Sequence, residues 1–95
     1  MFIIREIFIA KPGQAGKFAK MIKESMSGSK MRVLTDFVSD YNKVVMESEV
    51  EHLEEFENMM AEYKAGKTDK KEQDAMAGYT DMYLTGKREI YQVVE

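Results

Sequence analysis

Apolar positions recur along this chain with two periods, and the switches between them predict the elements. Phe2 to Ala10 is apolar and rich in β-branched residues, which reads as a strand. Phe2, Ile4, Glu6 and Phe8 share one of its faces, and Ile3, Arg5, Ile7 and Ile9 share the other. Lys11-Pro12-Gly13 then opens a helix, since the fixed φ of proline suits a first helical turn. Ala15, Phe18, Ala19, Ile22 and Met26 follow as one apolar stripe, and Gly28 is the expected stop. A second strand is predicted over Met31 to Asp40, a turn at Tyr41-Asn42, and a third strand over Lys43 to Glu47. Ser48 and Glu51 have the spacing of a capping box for a second helix. Its buried stripe is Val50, Leu53, Phe56, Met60 and Tyr63, its wet face carries Glu51, Glu54, Glu55 and Glu62, and Gly66 ends it. A second box, Asp69 to Glu72, predicts a short helix carrying Ala75, Met76 and Tyr79 that breaks near Gly78. Tyr79 to Thr85 reads as irregular, and Lys87 to Val94 as the last strand.

The order βαββαβ, with one extra short helix, is the plan of an α+β, ferredoxin-like domain with an antiparallel sheet, spanning residues 1–95. In that plan the first strand lies between the third and the fourth. Arg5 is then expected to pair with Glu47 or Glu89. Both faces of the first strand are largely apolar, so both need cover. Helices cover one. In a chain of 95 residues the expected cover for the other is a second copy, a homodimer joined through its sheet face.

Composition narrows the function classes. The chain is 44% hydrophobic and 33% charged, as a globular domain is, with a net charge of −3. That charge argues against a nucleic-acid partner. There are no cysteines, which removes disulfides and thiolate chemistry and fits a reducing compartment. The opening Met1 to Glu6 is charged by its fifth residue and lacks the apolar core of a signal peptide, and no apolar run approaches membrane-spanning length. The expected setting is the cytoplasm, away from the membrane.

Candidate chemistry is sparse. His52 is the sole histidine, and a histidine at a strand-to-helix junction can act as a general base. Its catalytic reading requires it to face a cleft together with a tyrosine or Asp36. Tyr79 and Tyr83, one helical turn apart after Gly78, are candidates to line that cleft, and Arg5 and Glu47 to set the polarity of its floor. The more ordinary readings are a partly exposed helix residue for His52, core-edge tyrosines, and a structural ion pair. Nine methionines offer compliant packing or a soft apolar pocket. One histidine among scattered carboxylates is a poor metal site, and no phosphate-cradling loop, dinucleotide fingerprint or nucleophile elbow occurs. No metal and no cofactor is expected.

The strand Arg5-Glu6-Ile7-Phe8 followed by Lys11-Pro12-Gly13, and the run Val44-Val45-Met46-Glu47-Ser48-Glu49 into a helix, resemble NIPSNAP-like proteins. These belong to the dimeric α+β barrel superfamily, with the antibiotic-biosynthesis-type monooxygenases, muconolactone-isomerase-like and stress-responsive barrel proteins. The resemblance implies a homodimer with sheets face to face and a ligand cleft between each sheet and its own helices. Haem-degrading relatives use an asparagine, a tryptophan and a histidine, and this chain has no tryptophan. Two functions are therefore expected to compete. One is the binding of a small, partly apolar ligand. The other is cofactor-independent monooxygenase or isomerase chemistry on an aromatic or quinol-like substrate.

Overall fold

A computed structural model describes residues 1–25, 30–66 and 78–95. Strand β1 (Phe2–Ala10) leads into helix α1 (Ala15–Ser25), strands β2 (Arg32–Thr35) and β3 (Lys43–Val50), and helix α2 (Leu53–Lys64). A 3-10 turn (Tyr79–Asp81) then precedes strand β4 (Tyr83–Gln92). The strands form one antiparallel sheet in the order β2-β3-β1-β4, so β1 is central, as the ferredoxin-like plan requires. It pairs with β3 from Phe2↔Val50 to Ile9↔Lys43 and with β4 from Phe2↔Gln92 to Ala10↔Tyr83.

Residues directly opposite in an antiparallel pair share a face, so the register sorts every strand residue. Ile4, Phe8 and Ala10 of β1 lie with Val44 and Met46 of β3 and Val33 of β2. Helix α1 packs on this face. Its Phe18 and Ile22 join Ala10 and Val44 as the fully buried core. The Phe18 ring meets Phe8 edge-on at 5.2 Å and stacks on Tyr83 at 5.8 Å. Gly86, opposite Phe8, leaves that ring its space, since a Cβ there would come within 3.2 Å of Phe8 Cδ1. A bulge between Ile9 and Ala10 skips Leu84, which puts Tyr83 in the core and leaves Leu84 exposed.

Helix α2 covers the same face more loosely. The Arg88 guanidinium lies 5.0 Å from the Phe56 ring centroid, approaches Met60 Sδ at 3.8 Å, and pairs with Glu6 on the sheet. Yet no residue of α2 is buried; Leu53 remains 39% and Tyr63 56% exposed. The expected buried stripe faces the sheet without being sealed by it.

Several boundaries differ from expectation, each for a local reason. Pro12 sits in a turn before the helix: Gln14 N–H donates to the Lys11 carbonyl at 2.9 Å, and Gly13 takes φ 79°. Proline followed by a glycine at positive φ is a type II turn. Strand β2 stops at Thr35, five residues short of Asp40. The Asp36 carboxylate accepts the Lys43 backbone N–H at 3.2 Å and the Ser39 hydroxyl at 2.9 Å, and the chain peels away into residues 36–42. The turn at Tyr41-Asn42 is present, with φ of 74° and 56°. Strand β3 runs on to Val50 because β1 offers it partners as far as Phe2, so Ser48 is a strand residue and not a cap. The cap is His52, with extended backbone. The Glu55 carboxylate accepts the N–H groups of Glu51 and His52, both at 2.9 Å. These bonds, that from His52 foremost, lower the Glu55 pKa. Gly66, at φ 71°, ends α2 as expected. Strand β4 starts four residues before Lys87 and ends at Gln92, following β1 along its length. Met26, Gly28 and the expected helix with Asp69, Ala75 and Met76 lie outside the described residues. Tyr79 lies in the 3-10 turn that follows Gly78, which takes φ 80°.

Phe18→Ala removes the ring at the centre of this core. The expected loss is about 3–5 kcal/mol, comparable with the whole stability of a small domain. Chemical denaturation followed by circular dichroism should show a variant with little or no folded baseline. A midpoint within error of the parent would place the core elsewhere.

Candidate functional site

The sequence candidates fall on two faces of the sheet. Arg5 and Glu47 lie on the open face, the one that no helix among the described residues covers. The register there aligns Arg32, Glu47, Arg5 and Glu89 in one row across all four strands. Arg5 Nε donates to Glu47 Oε1 at 2.8 Å, and Arg32 Nε donates to Glu47 Oε2 at 2.5 Å. The Arg5 guanidinium lies 5.3 Å from the Tyr91 ring centroid, and the Tyr91 hydroxyl donates to Glu89 Oε2 at 2.6 Å. Glu47 is 3% exposed although no helix among the described residues covers it, and both arginine side chains pair with it. The Arg5 hydrogen bond, with that of Arg32 and both charges, holds its carboxyl below the usual carboxylate range against the opposing effect of burial. The Tyr91–Glu89 bond raises the tyrosine and lowers the carboxylate. Arg32 in this row, and Tyr91 beside it opposite Ile3, are not among the candidates that the sequence singles out. The signal for Arg32 was the two-residue period that puts it in step with Glu47.

Tyr79 and Tyr83 lie on the helix side. Their rings stack with centroids 6.0 Å apart, and Tyr83 meets Phe8 at 4.9 Å. The Tyr79 hydroxyl meets that of Tyr63, from the last turn of α2, at 3.5 Å. That contact, with burial and the neighbouring tyrosines, pushes the Tyr79 pKa up to about 12. Near neutral pH Tyr79 is a neutral hydroxyl, as an ordinary tyrosine is, and the shift takes it further from ionising. Tyr63, which the periodicity assigned to the apolar stripe, is its partner through tertiary contact.

The structure does not bring His52 to these tyrosines. His52 follows Val50, which pairs with Phe2, whereas Tyr83 pairs with Ala10 at the far end of β1. Eight strand steps separate those ends, about 26 Å. His52 is exposed at the start of α2, and its ordered contacts are those of a helix cap. Asp36 is occupied in its turn by Ser39 and Lys43. Among the described residues no group of three or more His, Cys, Asp or Glu side chains is placed to hold a metal ion. No helix among them is long and apolar enough to cross a membrane. Among the described residues the surface has hollows, of which two are notable. One of about 430 Å³ lies at Met1 and the terminal Gln92 to Glu95. The other, about 280 Å³, lies on the open face between Ile7, Ile9, Asp40, Lys43, Thr85 and Lys87.

No family model matches the chain, and no curated protein matches it. Solved structures do. A NIPSNAP domain protein from Burkholderia xenovorans aligns over 99% of this chain and 95% of its own, with a TM-score of 0.72 at 13% identity. A NIPSNAP family protein from Agrobacterium tumefaciens aligns over 99% of this chain and 86% of its own, with a TM-score of 0.76 at 10% identity. This chain has the NIPSNAP-like fold. A Chloroflexus aurantiacus protein described as a candidate antibiotic biosynthesis monooxygenase shares it, with a TM-score of 0.70 at 17% identity over 99% and 93% of the two chains. The suggested resemblance to both groups is thus present at the level of architecture.

Two titrations check this geometry. Glu47 has a lowered pKa, so its contribution to stability is present above the ordinary carboxylate pKa and is lost as pH falls through the folded value. Glu47→Gln should cost about 1 kcal/mol near neutral pH, discounted because both arginines are partly exposed. It should also flatten the acid limb of the stability profile; an unchanged limb would remove Glu47 from that role. Tyr79 has a raised pKa, so its contribution is present below pH 10 and is lost between about pH 10 and 12. Spectrophotometric titration should show tyrosinate forming late, with the late component reduced in Tyr79→Phe to the share contributed by Tyr91.

Proposed function

We propose that this chain is a cytoplasmic homodimeric binding protein for a small, partly apolar ligand. Two copies join through their open sheet faces, and each holds its ligand between helices and sheet. The observation that carries the ligand reading is the unsealed underside of α2. Its apolar stripe is half-exposed, and it ends beside a tyrosine wall, Tyr63, Tyr79 and Tyr83, that presents ring faces and hydroxyls together. A flat ligand with one polar group would complete the cover that α2 lacks and take a hydrogen bond from the Tyr79 hydroxyl. The open faces support the dimer. Ile3, Ile7 and Ile9 of β1 and Val45 and Leu34 beside them share that face, and among the described residues no helix lies over it.

Cofactor-independent monooxygenase or isomerase chemistry on an aromatic or quinol-like substrate is the second reading. It draws on the fold shared with the Chloroflexus protein. It needs a base beside the tyrosines. His52 stands at the other end of the sheet, and Tyr79 is held protonated. The binding reading needs neither residue to move.

Calorimetric titration with a panel of phenols and quinols should give saturable binding, weakened several-fold in Tyr79→Phe and unchanged in His52→Ala. Oxygen uptake by the same mixtures, without added metal or flavin, should stay at the background rate. Turnover abolished by His52→Ala would reverse the order of the two readings, and absence of any saturable binding would end the first. Light scattering at micromolar concentration should give twice the chain mass, and a folded monomer would remove the dimer.

A further inference from the structure

Residues 36–42, between β2 and β3, form a tip that carries the two most exposed aromatic side chains among the described residues. Phe37 is 101%, Val38 88% and Tyr41 79% exposed. Three such side chains within five residues are not the scattered exposure that any surface shows. The segment is built, not slack. Asp36 accepts both the Lys43 N–H and the Ser39 hydroxyl, and the Ala10 N–H donates to the Asn42 carbonyl at 2.8 Å. Tyr41 and Asn42 both adopt positive φ, a conformation that costs non-glycine residues energy and persists where the surroundings impose it.

The tip rises beside the open face. Asp40 lines the hollow there with Ile7, Ile9, Lys43, Thr85 and Lys87, so the segment forms a rim around that end of the sheet. We infer that Phe37, Val38 and Tyr41 are a clamp that closes over a second copy seated on the open face. This rests on the dimer reading above and goes beyond it, because area distinguishes a sheet that merely meets its copy from one that grips it. Four strands about 4.8 Å apart and up to about 30 Å long offer only about 500–600 Å² per copy. Two copies then bury about 1,100 Å², the lower limit for a specific interface. Two aromatic side chains, each able to bury about 150–250 Å², and a valine add about 400–500 Å² per copy. The total reaches about 2,000 Å², the range of obligate dimers. The tip is already ordered, so closing it sacrifices little conformational freedom. Its own charges, Asp36 and Asp40, disfavour an anionic membrane surface as the alternative occupant.

The chain has no cysteine, so a single introduced thiol is unique. Phe37→Cys carrying a photoreactive benzophenone should cross-link to a second copy, giving a covalent species of twice the chain mass. Sedimentation equilibrium on the double variant Phe37→Ser, Val38→Ser should show dimer dissociation at least tenfold easier, with the circular dichroism spectrum retained. A parent that dimerises while the double variant matches its dissociation constant and the cross-link stays within one chain would overturn the clamp and leave the sheet-face dimer standing. A monomeric parent would end both. A cross-link formed only to added zwitterionic lipid vesicles would replace the second copy with a membrane.

Discussion

Everything in this molecule hangs on β1 being paired along its whole length on both sides. A central strand hydrogen-bonded to β3 and β4 fixes the register of both neighbours, and through β3 that of β2. Because side chains alternate, one register assigns every strand residue to a face, and a slip of one residue would exchange the faces. The same pairing overrides local signals at strand ends. It draws β3 past the cap that Ser48 and Glu51 would otherwise form, and it starts β4 at Tyr83. Backbone groups of β3 that would be left unpaired next to β1 are worth more than a cap.

The two faces that result are chemically unlike. The helix side is a dry core under α1 that grades into a half-open aromatic layer under α2. The open side is an apolar sheet crossed by a row of alternating charge, in which Glu47 is fixed by two arginines. Such a row satisfies its charges within one chain, so a covering surface need not supply partners for them. That is a different solution from burying an ion pair that depends on the partner, which leaves an uncompensated charge whenever the partner is absent.

The distribution of titratable groups also separates binding from catalysis. The imidazole sits at one end of the sheet in a capping position, and Tyr79, with its raised pKa, sits at the other. Tyr79 gains a hydroxyl neighbour and partial burial, which hold its phenol neutral further into the alkaline range and leave little tyrosinate to take up a proton. This arrangement favours the binding reading proposed above over the catalytic one.

The sequence alone determined the ferredoxin-like order of elements, the central place of β1, an ion pair of Arg5 with either Glu47 or Glu89, the Tyr41-Asn42 turn and the Gly66 stop; the fold chose Glu47. These follow from period and from local backbone preference, which a single chain displays directly. Tertiary structure decided the rest. The ends of β2, β3 and β4 depend on which partner strand is available, and the cap at His52 depends on where β3 finishes. Tyr63 meets Tyr79, and Arg32 joins Glu47, because the fold brings distant segments together. The distance between His52 and Tyr83 depends on which end of β1 each neighbour pairs with. That is set by the direction of the strands, and no spacing along the chain records it.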